Sequence, residues 1–205
     1  MTSIITGDII NSRKVLTTDW LPVLKQVFKT IGSSPKTWEI FRGDSFQVEI
    51  KNVSDAFLFA IKLKTAIKKI KGLDIRLAIG IGKKSFDTNN ITEANGEAFI
   101  NSGFAFDNLL KKQNLALKTP WNEVNNEFNV SFSLALLIMD NWTVNSAEYV
   151  KMYLETPKAT QKVIAKKLEI SESSASERRK RAGFNEIMKL EKRYRQVMKQ
   201  KLADS

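Results

Sequence analysis

In the first 82 residues the spacing of apolar side chains switches back and forth between the two-residue period of a strand and the 3.6-residue period of a helix. The order of those switches constrains the fold more than any other feature of the chain. Residues 3–10, Ser-Ile-Ile-Thr-Gly-Asp-Ile-Ile, read as a short buried strand ending near Gly7-Asp8. Leu21, Leu24, Val27, Phe28 and Ile31 then follow at helical spacing over 19–31, with Pro22 in the first turn, where its missing N–H is tolerated. Trp38 and Ile40, then Phe46, Val48 and Ile50, alternate on either side of Gly43-Asp44, which is a hairpin signature. Residues 54–70 predict a second helix with Ser54 as N-cap and Phe57, Ile61, Ala66, Ile67 and Ile70 facing inward. Residues 73–82 alternate again and end in glycines.

Strand, helix, strand, strand, helix, strand is the split βαβ order of ferredoxin-like and polymerase-palm folds. A right-handed crossover makes the first and second strands parallel. The hairpin after the second strand is then expected beside the end of the first, which brings Asp8 and Asp44 to one sheet edge. Arg13, Arg42, Lys83 and Lys84 are expected near enough to add positive charge there.

Beyond this unit, Asn95 to Gln113 reads as a helix carrying Phe99, Phe104, Phe106, Leu109 and Leu110, although Gly96 and Gly103 weaken it. Residues 118–128 read as polar and irregular around Pro120, and 130–141 as an apolar stretch that packs back on the sheet or opens the next domain. The last third is helical throughout. One helix over 146–155 is closed by Thr156-Pro157, and a second is capped by Thr160 and runs through Leu168. After a turn at Glu169-Ile170-Ser171, a third spans Ser173 to Ala182, and a last one covers 184–202. The expected class is α+β: a ferredoxin-like palm domain over 1–140, then an all-α helix-turn-helix domain over 141–205.

Composition decides which chemistry such a frame can carry. The 205 residues include no Cys and no His. This excludes disulfides, thiolate nucleophiles, Cys- or His-ligated zinc and any imidazole base. Carboxylates remain, and the divalent cations they hold are hard ones such as Mg²⁺ or Mn²⁺. Asp8 and Asp44 are the candidate metal ligands, since two shared carboxylates are what a two-metal phosphate site needs. Gly7 and Gly43 beside them are expected to let the backbone approach a phosphate. Alone, Gly43-Asp44 is ordinary turn chemistry; the pair in this strand order is what points to function. No residue stands out as catalytic.

The charge is uneven. Residues 141–205 carry 15 Lys+Arg against 8 Asp+Glu, +7 of the total +11. A basic terminal third suggests an anionic partner, with double-stranded DNA first. Thr160 to Gly183 reads as a helix-turn-helix, with Ala165 small where two helices cross and Leu168 and Ile170 beneath the turn. Ser171, Ser173, Ser174, Glu177, Arg178, Lys180 and Arg181 are the expected DNA contacts, although Arg179 sits where such motifs usually carry an apolar residue. The apolar stripe of the last helix reads as core rather than coiled coil, since Glu191 interrupts it. A homodimer nevertheless fits operators that repeat half-sites. No stretch is long and apolar enough for a membrane span, and the absence of Cys and of a signal peptide suits the cytoplasm.

Gly7-Asp8-Ile9-Ile10 and Phe41-Arg42-Gly43-Asp44-Ser45-Phe46-Gln47 resemble the two metal-aspartate motifs of class III nucleotidyl cyclases, and Arg76 to Gly82 is similar to the strand that follows there. A closer resemblance is to the SatD family, carried by Thr6 to Arg13, Arg42 to Gln47, Arg76 to Gly80 and Gly96 to Phe99. It implies a cyclase-like domain followed by a helix-turn-helix and no settled activity; the expected nucleotide contacts are Gly7, Ile9, Arg13, Arg42, Gly43 and Ser45. Two features of cyclases are missing. The helix after the glycine-rich strand has Asn101 but no Arg to stabilise a transition state, and Ile40 stands where a purine-selecting Lys is expected. Losing one such donor typically costs on the order of a hundredfold in rate. The expectation is therefore a DNA-binding regulator that binds a nucleotide with divalent metal and has little or no cyclase turnover. The alternatives are an active nucleotidyltransferase and a degenerate palm acting as a protein-interaction scaffold. Glu97 reads as a helix-start acid rather than a third metal ligand.

Overall fold

The computed structural model describes residues 1–204. Its centre is β1 (Thr2–Ile10), the middle strand of a mixed sheet, with Ile4 buried on one face and Ile5 and Ile9 on the other. β1 pairs antiparallel with β3 (Ser45–Ile50) on one side and with β4 (Asp74–Gly82) on the other. β2 (Trp38–Phe41) pairs antiparallel with β3, so β1 and β2 run the same way, as the right-handed crossover requires. A fifth strand, β7 (Leu115–Lys118), lies parallel to β4, giving the order β2-β3-β1-β4-β7. Two short strands, β5 (Lys84–Phe86) and β6 (Asn95–Gly96), form a separate ribbon.

Strand alternation sorts side chains onto two faces. Ile5, Ile9, Ile75, Leu77, Ile79, Ile81 and Phe46 point to the face covered by α1 (Thr17–Lys29), α2 (Ala56–Lys68) and α4 (Asn122–Met139). Phe28 of α1 sits 5.1 Å from Phe46, ring to ring, and Phe57 of α2 sits 4.5 Å from Phe132 of α4. The opposite face carries α3 (Glu97–Asp107), which lies on the small row Ala78, Gly80 and Gly82. A Cβ at Gly80 would fall 2.6 Å from the Ser102 Cα, so the helix rests on bare backbone there. Thr6 Oγ1 donates to Ser102 Oγ at 3.1 Å beside that contact.

Three local expectations change. The second helix starts with a 3₁₀ turn over Val53–Asp55, capped by Asn52, whose side chain accepts from the Ser54 N–H at 3.3 Å; Ser54 itself is buried. The helix expected over 95–113 stops at Asp107, because the chain must turn at Leu110–Gln113 to feed β7. The irregular stretch expected over 118–128 is instead the end of β7 and the start of α4. Four residues with two Leu and an Ala give a strand little periodicity to display. The outer edge of β7 is met by side chains of α4. Asn129 accepts from the Leu117 N–H at 2.9 Å and donates to its carbonyl at 2.9 Å, and Asn125 treats Thr119 likewise at 2.7 and 3.0 Å.

The helical last third comprises α5 (Val144–Glu155), α6 (Gln161–Lys167), α7 (Glu172–Arg181) and α8 (Phe184–Ala203). Thr160 and Ser171 cap α6 and α7, accepting from the N–H groups of Val163 and Ser174. Their apolar sides are not separate from the sheet: Ile164, Ala175, Phe184 and Tyr194 belong to the same buried cluster as Ile5 and Phe57. Trp142 donates its indole N–H to the Ala182 carbonyl at 2.8 Å, fixing the end of α7. Glu191, which interrupts the stripe of α8, is buried against Arg195, and Arg195 also pairs with Asp55. Among the described residues no helix is long and apolar enough to cross a membrane.

Candidate functional site

β1 ends at Ile10, Asn11 adopts a left-handed conformation (φ 64°), and a 3₁₀ turn over Ser12–Lys14 follows. Across from it, Arg42 (φ 52°) and Gly43 (φ 91°) make the tight turn between β2 and β3 that presents Asp44. The Ser12 hydroxyl donates to the Asp44 carboxylate, tying the two turns together. Asp8 and Asp44 both line one open cleft of about 780 Å³, along with Arg13, Lys14, Lys112 and Asn114. The pairing argued from strand order therefore brings the two carboxylates to a common edge.

The side chain that organises this edge is Arg76, to which the sequence motifs assign no role. It lies directly opposite Asp8 in the β1–β4 register, on the same face. Its Nε donates to Asp8 Oδ1 at 2.9 Å and its Nη2 to Oδ2, so both carboxylate oxygens are taken by one guanidinium. The Phe106 ring lies 5.5 Å from the guanidinium carbon and flanks the ion pair. The hydrogen bonds to Asp8, with Asp44 adding to its field, raise the Arg76 pKa above its ordinary value against partial desolvation. The signal was present in the sequence. β4 runs antiparallel to β1, so its first residues, not its last, return to Asp8.

The same fact corrects Lys83 and Lys84. Gly82 pairs with Thr2, which puts both lysines at the far end of the sheet. Lys84 is held there by Glu49 at 2.8 Å and Asp87 at 2.7 Å. Glu97 sits at that far end too, accepting from the Lys83 N–H at 3.2 Å. Asn101 donates to the Ile81 carbonyl at 2.7 Å. Gly7 offers no approach to a ligand: it is buried, and a Cβ there would fall 2.7 Å from the Arg76 carbonyl oxygen. Ile9 lines the cleft but is itself buried in the core, Arg13 stands exposed on the rim, and Arg42 and Gly43 are exposed on the turn. Ser45 pairs in register with Asp8.

A divalent cation does not fit this arrangement. Both Asp8 oxygens are committed to Arg76 and Asp44 accepts from Ser12. A cation at Asp8 would displace a bidentate partner and then sit beside its charge.

The second candidate surface is α7. Ser173, Ser174, Glu177, Lys180 and Arg181 are exposed, while Ala175 is buried against the neighbouring helices. Ser171 is occupied as the helix cap, with its hydroxyl also 2.9 Å from those of Ser173 and Ser174. Arg178 turns inward and donates to Glu148 of α5 at 2.8 Å; Lys69, beyond the end of α2, lies 3.8 Å from the same carboxylate. Arg179, the residue that looked out of place, lies over the Phe184 ring at 5.4 Å and bonds Asn185 at 2.8 Å. Its guanidinium, rather than an apolar side chain, covers the Phe184 ring, and its Nε is buried with no hydrogen-bond partner among the described residues.

A model of the SatD family matches residues 3–202. The chain belongs to the SatD family. No curated protein and no solved structure gives a match. The SatD match runs from β1 into the last turn of α8, so sheet and C-terminal helices together make up the SatD unit. Its two candidate surfaces, the Asp8–Arg76 edge and the outer face of α7, both lie inside that unit.

Proposed function

We propose that this SatD protein is a DNA-binding regulator whose sheet-edge cleft binds a nucleotide through its phosphates. The observation that carries the reading is α7. It is a capped helix anchored by Ala175 and Arg178, and its free side presents Ser173, Ser174, Lys180 and Arg181 to solvent. That is the geometry in which a recognition helix meets a major groove, with hydroxyls and cations reaching bases or phosphates. The palm reading of the sheet rests on the order β2-β3-β1-β4 with β1 and β2 parallel. Arg13, Lys14 and Lys112 give the cleft an excess of cations at its rim, which favours a phosphate-bearing ligand. Turnover is not part of the reading, because α3 carries no Arg and Asn101 donates to the Ile81 carbonyl, toward the end of the sheet away from Asp8. A divalent cation enters only as a competitor of Arg76 for Asp8.

Duplex-DNA binding measured by fluorescence anisotropy over a salt series tests this. Affinity is expected to fall steeply with salt. Lys180→Ala with Arg181→Ala is expected to flatten the slope by roughly one unit for each phosphate that the variant no longer neutralises. Absence of binding at low salt would overturn the reading.

A further inference from the structure

We infer that Arg76 takes the place of a divalent cation in the cleft, so that the phosphates of a nucleotide bind to its guanidinium without metal. This rests on the reading of the cleft as a nucleotide site. A guanidinium carries five N–H donors in a fixed plane. Here one from Nε and one from Nη2 are spent on Asp8. The others remain for a ligand, and the Asp8 fork on one side and the Phe106 ring near 5.5 Å hold the plane that aims them. A metal ion bound to two aspartates presents positive charge to a phosphate. Arg76, oriented by one of those aspartates, presents N–H donors that carry a single positive charge with bidentate geometry.

The rest of the lining agrees. Asp140 reaches the same cleft, but Lys64 holds it at 2.5 Å and Asn114 at 3.0 Å. With Asp8 spent on Arg76, and Asp140 and Asp74 together held by Lys64 and Lys68, the charges left to meet a ligand are Arg13, Lys14 and Lys112 against Asp44, and Asp44 already accepts from Ser12. A site with that balance attracts an anion more than a cation. Asp8 then positions Arg76 rather than ligating a metal.

Isothermal titration of the full chain with ATP and with GTP, in EDTA and in Mn²⁺, distinguishes the possibilities. The expected result is the same Kd in both buffers for whichever nucleotide binds. Arg76→Ala is expected to weaken binding in EDTA by roughly tenfold to a hundredfold, the weight of one or two charge-assisted hydrogen bonds. Mn²⁺ is expected to restore part of that loss, since the substitution frees both Asp8 oxygens. Should the variant fail to fold, the wild-type comparison decides alone. Binding that appears only with Mn²⁺ would overturn the inference and leave the nucleotide site standing. No binding in either buffer would overturn the nucleotide site itself.

Discussion

Arg178 and Lys180 lie two positions apart on α7, and their environments give them different jobs. Arg178 is mostly buried and joins Glu148 at 2.8 Å; Lys180 is exposed. Arg178→Ala is expected to lower stability by about 1–2 kcal/mol, seen as a lower Tm, because it removes the charge-assisted hydrogen bond of a partly buried carboxylate and leaves it only the more distant Lys69. Lys180→Ala should leave Tm unchanged and, on the proposed function, act only on affinity for duplex DNA. Lys64 is a sharper case: it is 2 % exposed and holds Asp74 at 2.8 Å and Asp140 at 2.5 Å. Lys64→Met is expected to cost about 3 kcal/mol or more in a denaturant titration, since two carboxylates lose their buried partner. Residues of this kind are hard to read from a sequence. Asp8 and Asp44 were legible because strand order fixes the edge they share, whereas a lysine amid the apolar run of α2 carries no mark of the aspartates that face it from β4 and the end of α4.

At the scale of elements, β4 shows how composition and packing meet. Its large residues, Ile75, Leu77, Ile79 and Ile81, lie on one face, and Ala78, Gly80 and Gly82 form a shallow floor on the other. The sequence displays that alternation openly, and it marks where a helix lies on a sheet. Gly80→Ala would push a methyl into the backbone of α3 at Ser102. The expected cost is about 1–3 kcal/mol, with loss of near-ultraviolet circular dichroism if α3 lifts. β7 is the opposite case. It is four residues long and pairs only with β4, so little in its own spacing announces it. The segment of α6 and α7 lies between these extremes. Thr160 and Ser171 announce their helices as caps, but Arg179 misleads until the Phe184 ring beneath it is known.

For the molecule as a whole, the joint between sheet and C-terminal helices matters most. Tyr194 of α8 lies in the aromatic group of Phe57, Phe128 and Phe132 and donates to the Val53 carbonyl at 3.3 Å. Burial pushes its phenol pKa well above the ordinary value of 10.0. The folded chain then holds that proton more tightly than the unfolded one. The stability this contributes is complete below about pH 10 and declines as pH rises further. Thermal melts followed by circular dichroism from about pH 9 to about pH 11 should show Tm falling, and Tyr194→Phe should flatten the fall while costing about 1 kcal/mol at neutral pH for the missing hydrogen bond. Both halves should melt together, because one core runs through them. The asparagine amides of α4 on the rim of β7 carry a different consequence. They occupy the donors and acceptors with which a strand from another molecule would pair, so that rim cannot template growth while α4 is in place. The barrier against polymerisation is thus lent by a neighbouring helix rather than built into the strand, and the dangerous species would be one in which α4 detaches before the sheet comes apart.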